Sequence, residues 1–246
     1  LTACIRFAQA EPWSMENPKL YEVNTVLKMG GKPVDDLIDR FGFRTVRVED
    51  KRILINGRAV RIKGFCRHED HPQFGCALPY AAIAADLESI RHLGANSVRT
   101  SHYPNDEVFL DLCDELGILV WEENHARGLG LENMLNPHFE EQAEQVIREM
   151  IPAHYNHPSI YIWGILNECA SETEYGKECY AEQLALIREL DRTRPHSFAS
   201  CKFKTDICFG LPDVVSYNIY PKWYHETPVG EYLDDLYQWV QSETEG

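Results

Sequence analysis

A chain of 246 residues accommodates one large domain, or a smaller domain with most of a second. Its 44% hydrophobic and 26% charged residues are those of a soluble folded protein, which excludes extended disorder. A net charge of −15, from 24 basic and 39 acidic residues, disfavours nucleic acid and anionic membranes as partners, because phosphates are met by clustered Lys and Arg.

The charge leaves room for a neutral substrate, or for an acidic one received by a single local cation. No apolar run approaches the roughly 18 residues of a membrane span. No basic segment followed by an apolar one stands near Leu1, but a chain opening on Leu rather than Met leaves a leader upstream open. The eight cysteines include no C-x-x-C pair, and most lie in apolar segments. They are expected to be buried reduced thiols, with a cytoplasmic location.

In chain order, Tyr21–Leu27 and Arg44–Val48 are rich in β-branched and aromatic residues, with a Gly30-Gly31 turn between strand candidates. Asn56-Gly57, between Ile53–Ile55 and Val60–Phe65, signals a hairpin. The period then changes. Ile83, Leu87, Ile90 and Gly94 fall at helical spacing, and Asn96–Arg99 reads as a strand. Val108–Leu116 is helical and ends at Gly117, before a short strand over Ile118–Trp121. Phe139–Met150 is an amphipathic helix, and Ile160–Leu166 a continuous apolar strand. Tyr180–Leu190 is helical, Ser197–Ser200 and Val214–Asn218 are strands, and Tyr232–Val240 is helical. Strands alternating with helices imply a parallel sheet buried on both faces.

The fold class expected is therefore α/β: a (β/α)8 TIM barrel, incomplete at about six βα units, over residues 49–246. The end of an immunoglobulin-like β-sandwich precedes it over residues 1–48. A complete barrel typically takes about 250 residues, so roughly two βα units would lie outside the chain. An open doubly wound sheet competes, but no glycine-rich phosphate loop follows any strand.

Polar residues cluster where strands end, which is where barrel enzymes carry their sites. Arg67–His71 follows Phe65. Arg99–Pro104 follows Val98, Glu122–His125 follows Trp121, and Asn167-Glu168 follows Leu166. Tyr220, Trp223 and Tyr224 follow Asn218. Glu168 is the sharpest candidate. A carboxyl at a barrel mouth is partly desolvated, which suits a general acid near neutral pH; the competing reading is a helix cap or an ion-pair partner. Arg67-His68-Glu69-Asp70-His71 invites a metal reading. It lacks the H-E-x-x-H helix pattern, and His71-Pro72 suggests a loop, so hydrogen-bonding groups around a polar ligand are expected instead. Trp121 and Trp163 read as packing. Trp223 and Tyr224 suit a platform for the apolar face of a sugar.

Two stretches resemble glycoside hydrolase family 2 along their whole length. Asn96–Pro104, continuing to Asp114–Ile118, resembles the family's first signature. Asn156-His157-Pro158-Ser159-Ile160 through Leu166-Asn167-Glu168 resembles the second, the acid/base signature. His154-Tyr155 departs from the usual acidic-basic pair there. Gly42-Phe43-Arg44, Ile55-Asn56-Gly57 and Gly64–Glu69 resemble the family's junction from sandwich to barrel. The resemblance implies a retaining β-glycosidase with Glu168 as acid/base and Asn167 holding the sugar near its 2-hydroxyl. His102, Glu123 and Tyr220 would line the deep end of the pocket. It also implies a nucleophilic Glu after the strand that follows the Tyr220 region, beyond Gly246, because Glu243 and Glu245 sit in a polar segment with no apolar strand before them. The chain by itself is then expected to be inactive.

The segments containing His68 and Asp70, and Asn218 through Tyr224, resemble the β-glucuronidase branch more than the β-galactosidase branch. By that likeness His68, Asp70 and Tyr224 join the substrate-binding set, although Pro221 and Lys222 depart from the usual residues. A β-glucuronidase is the reading expected, with β-galactosidase as runner-up. A carbohydrate-binding module that has lost catalysis is the alternative of another class, and the full set of polar strand ends argues against it. The chemistry calls for neither metal nor organic cofactor. The expected partner is a small glycoside or oligosaccharide, with a homo-oligomer at full length.

Overall fold

The computed structural model describes residues 4–243. The chain forms two compact units, one ending at Ser216 and the other beginning at Tyr217. Among the described residues, no helix is long and apolar enough to cross a membrane.

The first unit opens with an antiparallel hairpin, β1 (Tyr21–Met29) and β2 (Lys32–Phe41), turning at Gly30-Gly31. Phe7, Tyr21, Phe41 and Phe43 form an aromatic cluster at its base. A three-stranded antiparallel sheet follows: β3 (Val46–Glu49), β4 (Arg52–Ile55) and β5 (Arg58–Val60). The expected domain limit at residue 48 therefore falls inside a strand. Asn56 and Gly57 both take positive φ, 51° and 75°, as the tight hairpin turn demands. The Asn56 side chain also bonds outward, donating to the Trp13 carbonyl (2.9 Å) and accepting from the Thr45 amide (3.0 Å). Trp13, fully buried, joins Val46 and Ile55 against Leu119, Trp121, Tyr161 and Ile162 in a small second core.

The main body is a six-stranded parallel sheet in sequential order, curled as a half-barrel. Its strands are β6 (Gly64–Arg67), β7 (Ser97–Thr100), β8 (Leu119–Glu123), β9 (Ile160–Ile165), β10 (His196–Ser200) and β11 (Val214–Tyr217). Between them run α1 (Tyr80–His92), α2 (Glu107–Leu116), a short α3 (Leu131–Met134), α4 (Phe139–His154) and α5 (Glu174–Leu190). α2 is delimited as its sequence dictates: the Asp106 carboxylate accepts from the Val108 amide at one end, and Gly117 takes a left-handed conformation at the other. Buried Leu87, Phe109, Ile147, Tyr180 and Leu184 pack against Val98, Val120, Trp163 and Phe198 in the principal core.

Three differences from the sequence reading have local causes. The expected strand Val60–Phe65 is broken at residues 61–63, where the Lys63 amide turns to the Asn96 side chain (2.8 Å) and the Lys63 carbonyl receives the Asn96 amide (2.8 Å). β8 runs two residues further than expected, because Glu122 and Glu123 stay in register with Trp163 and Gly164 of β9. α5 starts six residues before the expected Tyr180, at Glu174, where the Thr173 hydroxyl accepts from the Gly176 amide.

The second unit holds the end of β11 and the helix α6 (Val229–Glu243). Within it Trp239 packs edge-on against Tyr217.

Gly164 of β9 sets the approach of the strands beneath the barrel mouth. A Cβ there would lie 2.2 Å from the Trp121 indole nitrogen and 2.7 Å from Glu123 Cβ. Gly164→Ala should therefore displace both side chains and cost about 1–3 kcal/mol or more, read as a lowered melting temperature of the full-length protein. An unchanged melting temperature would mean that β8 and β9 are not packed this closely.

Candidate active site

At the C-terminal ends of β7, β8 and β9, charged and polar groups converge that could not be buried singly. Glu123, only 1% exposed, is gripped by a fork from Arg99: Nε to Oε2 at 2.9 Å and Nη2 to Oε1 at 3.2 Å. His102 Nδ1 donates to the same Oε1 at 2.5 Å. Arg99 Nη2 reaches on to Asn167 Oδ1 at 2.7 Å, and its guanidinium lies 5.0 Å from the centre of the Trp121 ring. One arginine therefore ties β7 to β8 and to the end of β9. Paired and hydrogen-bonded charge of this kind is the form in which a buried carboxylate is tolerated.

The end of β9 is the most constrained backbone of the site. Leu166 and Glu168, either side of Asn167, both take left-handed φ, 45° and 55°. Such residues each cost on the order of 1 kcal/mol and persist only where neighbours hold them. The holders are specific. The Leu166 amide donates to Asn124 Oδ1 (3.1 Å), and its carbonyl accepts from the Tyr180 hydroxyl (2.5 Å). The Asn167 carbonyl accepts from the Gly128 amide (2.7 Å), and the Glu168 amide donates to the Ala199 carbonyl (2.9 Å). Asn124 is fixed in turn by donating to Gln183 Oε1 of α5 (3.2 Å). The outcome is that Glu168 is the one residue of 160–170 that is not buried. Glu168 is thereby left half-buried at the end of an otherwise enclosed strand.

The other sequence candidates are distributed as follows. His68 lies beside the cluster, its ring 5.4 Å from that of His102 and 6.3 Å from Tyr103. Partial burial, with the neighbouring His102 and Arg127, pushes its imidazole below the ordinary value. Asp70 is exposed, and its charge reaches His68. Glu69 is instead a structural partner of Arg67 (3.1 Å), which also bonds Asp86 and Asn105 and lies over the Phe109 ring. Among the described residues, the acidic and histidine groupings close enough to share a metal ion are Asp111–Asp114–His157 and Glu140–Glu144–Glu182, and neither includes the His68–His71 segment. Tyr220 and Tyr224 belong to the second unit. There the amides of Trp223 and Tyr224 turn back to the Tyr220 carbonyl, and the two tyrosine rings meet edge-on at 5.5 Å.

Sequence reasoning did not single out Arg99. Its signal was available, because a lone arginine inside the buried Ser97–Thr100 strand must find a charged partner. The eight cysteines carry no disulfide among the described residues; Cys113, Cys169, Cys179 and Cys208 are buried, but Cys4, Cys66, Cys76 and Cys201 are exposed, so the expectation of buried thiols holds for only half of them.

The description "Glycosyl hydrolases family 2, TIM barrel domain" matches residues 46–245, and "Glycosyl hydrolases family 2" matches residues 2–44. The chain belongs to glycoside hydrolase family 2. A β-galactosidase of Thermoanaerobacterium thermosulfurigenes is 35% identical over 208 residues, 84% of this chain and 27% of that protein. A β-glucuronidase of Bacteroides fragilis is 33% identical over 218 residues, 87% of this chain and 31% of that protein. Among solved structures, a family 2 β-galacturonidase from Eisenbergiella tayi bound to galacturonate superposes with a TM-score of 0.94 at 68% identity, over 100% of this chain and 44% of that chain. The chain thus spans under a third of these two curated relatives and under half of that solved chain.

In this family 2 chain, Arg99→Lys tests the fork. Lysine keeps the charge but cannot bond Glu123 twice and Asn167 once from one planar group. A loss of about 1.5–3 kcal/mol of stability is expected in denaturant unfolding of the full-length protein. Full stability in the lysine variant would show that charge alone suffices there.

Proposed function

We propose that this chain carries the acid/base half of the catalytic site of a retaining β-glycosidase whose substrates are terminal β-linked hexuronides, galacturonides first. The observation that carries the reading is Glu168, a half-buried residue at the end of a buried strand, on a left-handed backbone held by Tyr180, Asn124, Gly128 and Ala199. Retention requires two carboxyl groups about 5–5.5 Å apart across the sugar. Glu168 would protonate the glycosidic oxygen as the second carboxylate attacks the anomeric carbon, and would then take a proton from the water that releases the sugar. The resemblance puts that nucleophile on a later strand, past residue 246. Arg99 orients the Asn167 amide with Oδ1 towards β7, which makes Nδ2 the end that would donate to the 2-hydroxyl. His102 and Glu123 would form the deep wall, with His68 and Asp70 beside them nearer the surface.

The 68% likeness to a β-galacturonidase supports a uronide and favours the galacturonide over the glucuronide expected from the sequence. The Asn218–Tyr224 segment keeps glucuronide as the second reading, and β-galactoside, favoured by the Thermoanaerobacterium relative, follows.

The assay uses the full-length protein with aryl β-galacturonide, β-glucuronide and β-galactoside. The expected order of kcat/KM is the order just given, and preference for the neutral galactoside would refute the uronide assignment. Glu168→Gln should slow phenyl glycosides by about 100-fold or more while sparing nitrophenyl glycosides with good leaving groups, because those need little protonation. Equal loss on both would remove Glu168 from the acid role. The 246-residue chain purified alone should turn over none of the three, and turnover abolished by Glu168→Gln would show that the nucleophile lies within it.

A further inference from the structure

A cavity of about 540 Å³ lies between the segment of residues 12–17 and the hairpin of β4 and β5. Arg61 and Asn96, which line it, stand just before β6 and β7, so it belongs to the N-terminal end of the parallel sheet, opposite the candidate active site. Its walls are pinned. Asn56 ties the hairpin turn to the Trp13 carbonyl (2.9 Å), and Trp13 is itself buried, its indole donating to the Asp114 carbonyl (2.8 Å). The Ser14 amide donates to the Asn17 carbonyl (2.9 Å), and the Ser14 hydroxyl accepts from the Asn17 amide (3.1 Å). Asn96 Nδ2 donates to the Arg61 carbonyl (3.0 Å), while its Oδ1 accepts from the Lys63 amide (2.8 Å). A cavity held in this way needs little ordering when a ligand enters.

The lining combines three kinds of group. Arg58 and Arg61 are exposed, and neither guanidinium has an ion-pair or hydrogen-bond partner among the described residues. Arg40, Arg99, Arg148 and Arg188, by contrast, each hold a carboxylate. Glu16 also lines the cavity, so two arginines against one glutamate leave an excess of one positive charge, within a chain of net charge −15. Met15, Ile55 and Val60 add apolar surface. β5 is the edge strand of its sheet, so alternate backbone groups along it have no partner strand.

We propose that this cavity is a second binding site, for a free sugar acid: Arg58 and Arg61 receive its carboxylate, and Met15, Ile55 and Val60 pack against the apolar face of its ring. A guanidinium binds a carboxylate through a planar fork of N–H groups. An excess of one positive charge suits a single carboxylate, whereas Glu16 would repel the second charge of a phosphate. Ring hydroxyls can meet the open backbone groups of β5, which an apolar carboxylate would leave unmet. The volume lies within the roughly 300–1,000 Å³ of small-molecule sites. The choice of a sugar acid among small carboxylates rests on the uronide reading of the active site, whose hydrolysis releases that acid.

The test is a calorimetric titration of the full-length enzyme with D-galacturonate, paired with a crystal structure of the same enzyme soaked in it. A site outside the barrel mouth is expected, with the carboxylate on Arg58 and Arg61. The double variant Arg58→Ala, Arg61→Ala should weaken that site by about tenfold or more and leave kcat/KM for the phenyl β-uronide unchanged. D-galactose, which lacks the carboxylate, and benzoate, which lacks the hydroxyls, should each bind there about tenfold more weakly. Titrations that do not change in the double variant overturn the inference. So does an empty cavity in the soaked crystal, or benzoate or inorganic phosphate binding there as tightly as galacturonate. Density in the cavity with no matching site in solution is binding at crystal concentration only, and overturns it too. Where the double variant does not fold, the soaked crystal and the series of competitors on the unaltered enzyme decide. Galacturonate in the cavity of an enzyme that prefers the neutral galactoside would refute the uronide reading and keep this site, whereas uronide turnover with an empty cavity overturns this inference only.

Discussion

The fork from Arg99 to Glu123 is the interaction on which the barrel mouth depends. Neither charge would stand alone at that depth, since an unpaired buried ion costs several kcal/mol. Because Arg99 is on β7 and Glu123 on β8, their pairing fixes the stagger of the two strands where it matters. With a third donor bond Arg99 extends that constraint to Asn167, past the end of β9. His102 completes the carboxylate's shell. The catalytic candidates therefore rest on a polar lattice, and the apolar core behind it holds the strands that carry it.

The same strands are tied from behind by a second set of polar bonds. Glu122 points opposite to Glu123, as alternation along a strand requires, and accepts from His154 Nδ1 of α4 at 2.9 Å. Burial works against protonation of His154, but the Glu122 bond and charge outweigh it, so the imidazole is held above its ordinary value. Asp114, at the end of α2, accepts from His157 Nδ1 (2.6 Å) and the Ser159 amide (2.9 Å), and its carbonyl accepts from the Trp13 indole (2.8 Å). Arg194 bonds Asp191, the Ile160 carbonyl and the carbonyls of Tyr155 and His157. These groups anchor the start of β9, so that its far end, with Glu168, is positioned from both directions. Histidines 154 and 157, which break the usual pattern or precede the strand, thus have structural partners in place.

Much was legible in the order of residues. The acid/base candidate was readable because Asn167-Glu168 ends an uninterrupted apolar run, and a buried strand has few ways to end on a carboxylate. The Asn56-Gly57 hairpin, the Asp106 and Gly117 limits of α2 and the parallel arrangement were readable for a related reason: each depends on residues a few positions apart. The half-barrel follows from the period of apolar residues, which records whether a segment is a strand or a helix wherever it lies.

What only the tertiary structure decided are the pairings between distant positions. Arg99 finds Glu123 and Asn167 across 24 and 68 positions, and Asn124 finds Gln183 across 59. The left-handed turns at Leu166 and Glu168 are unfavourable taken locally and exist because Tyr180, Asn124 and Ala199 satisfy their backbone. Lys202 meets Glu172 only once β10 lies beside β9. A sequence states which charges must be neutralised when they are buried. Strand register, set by packing over the whole sheet, decides which partner neutralises each.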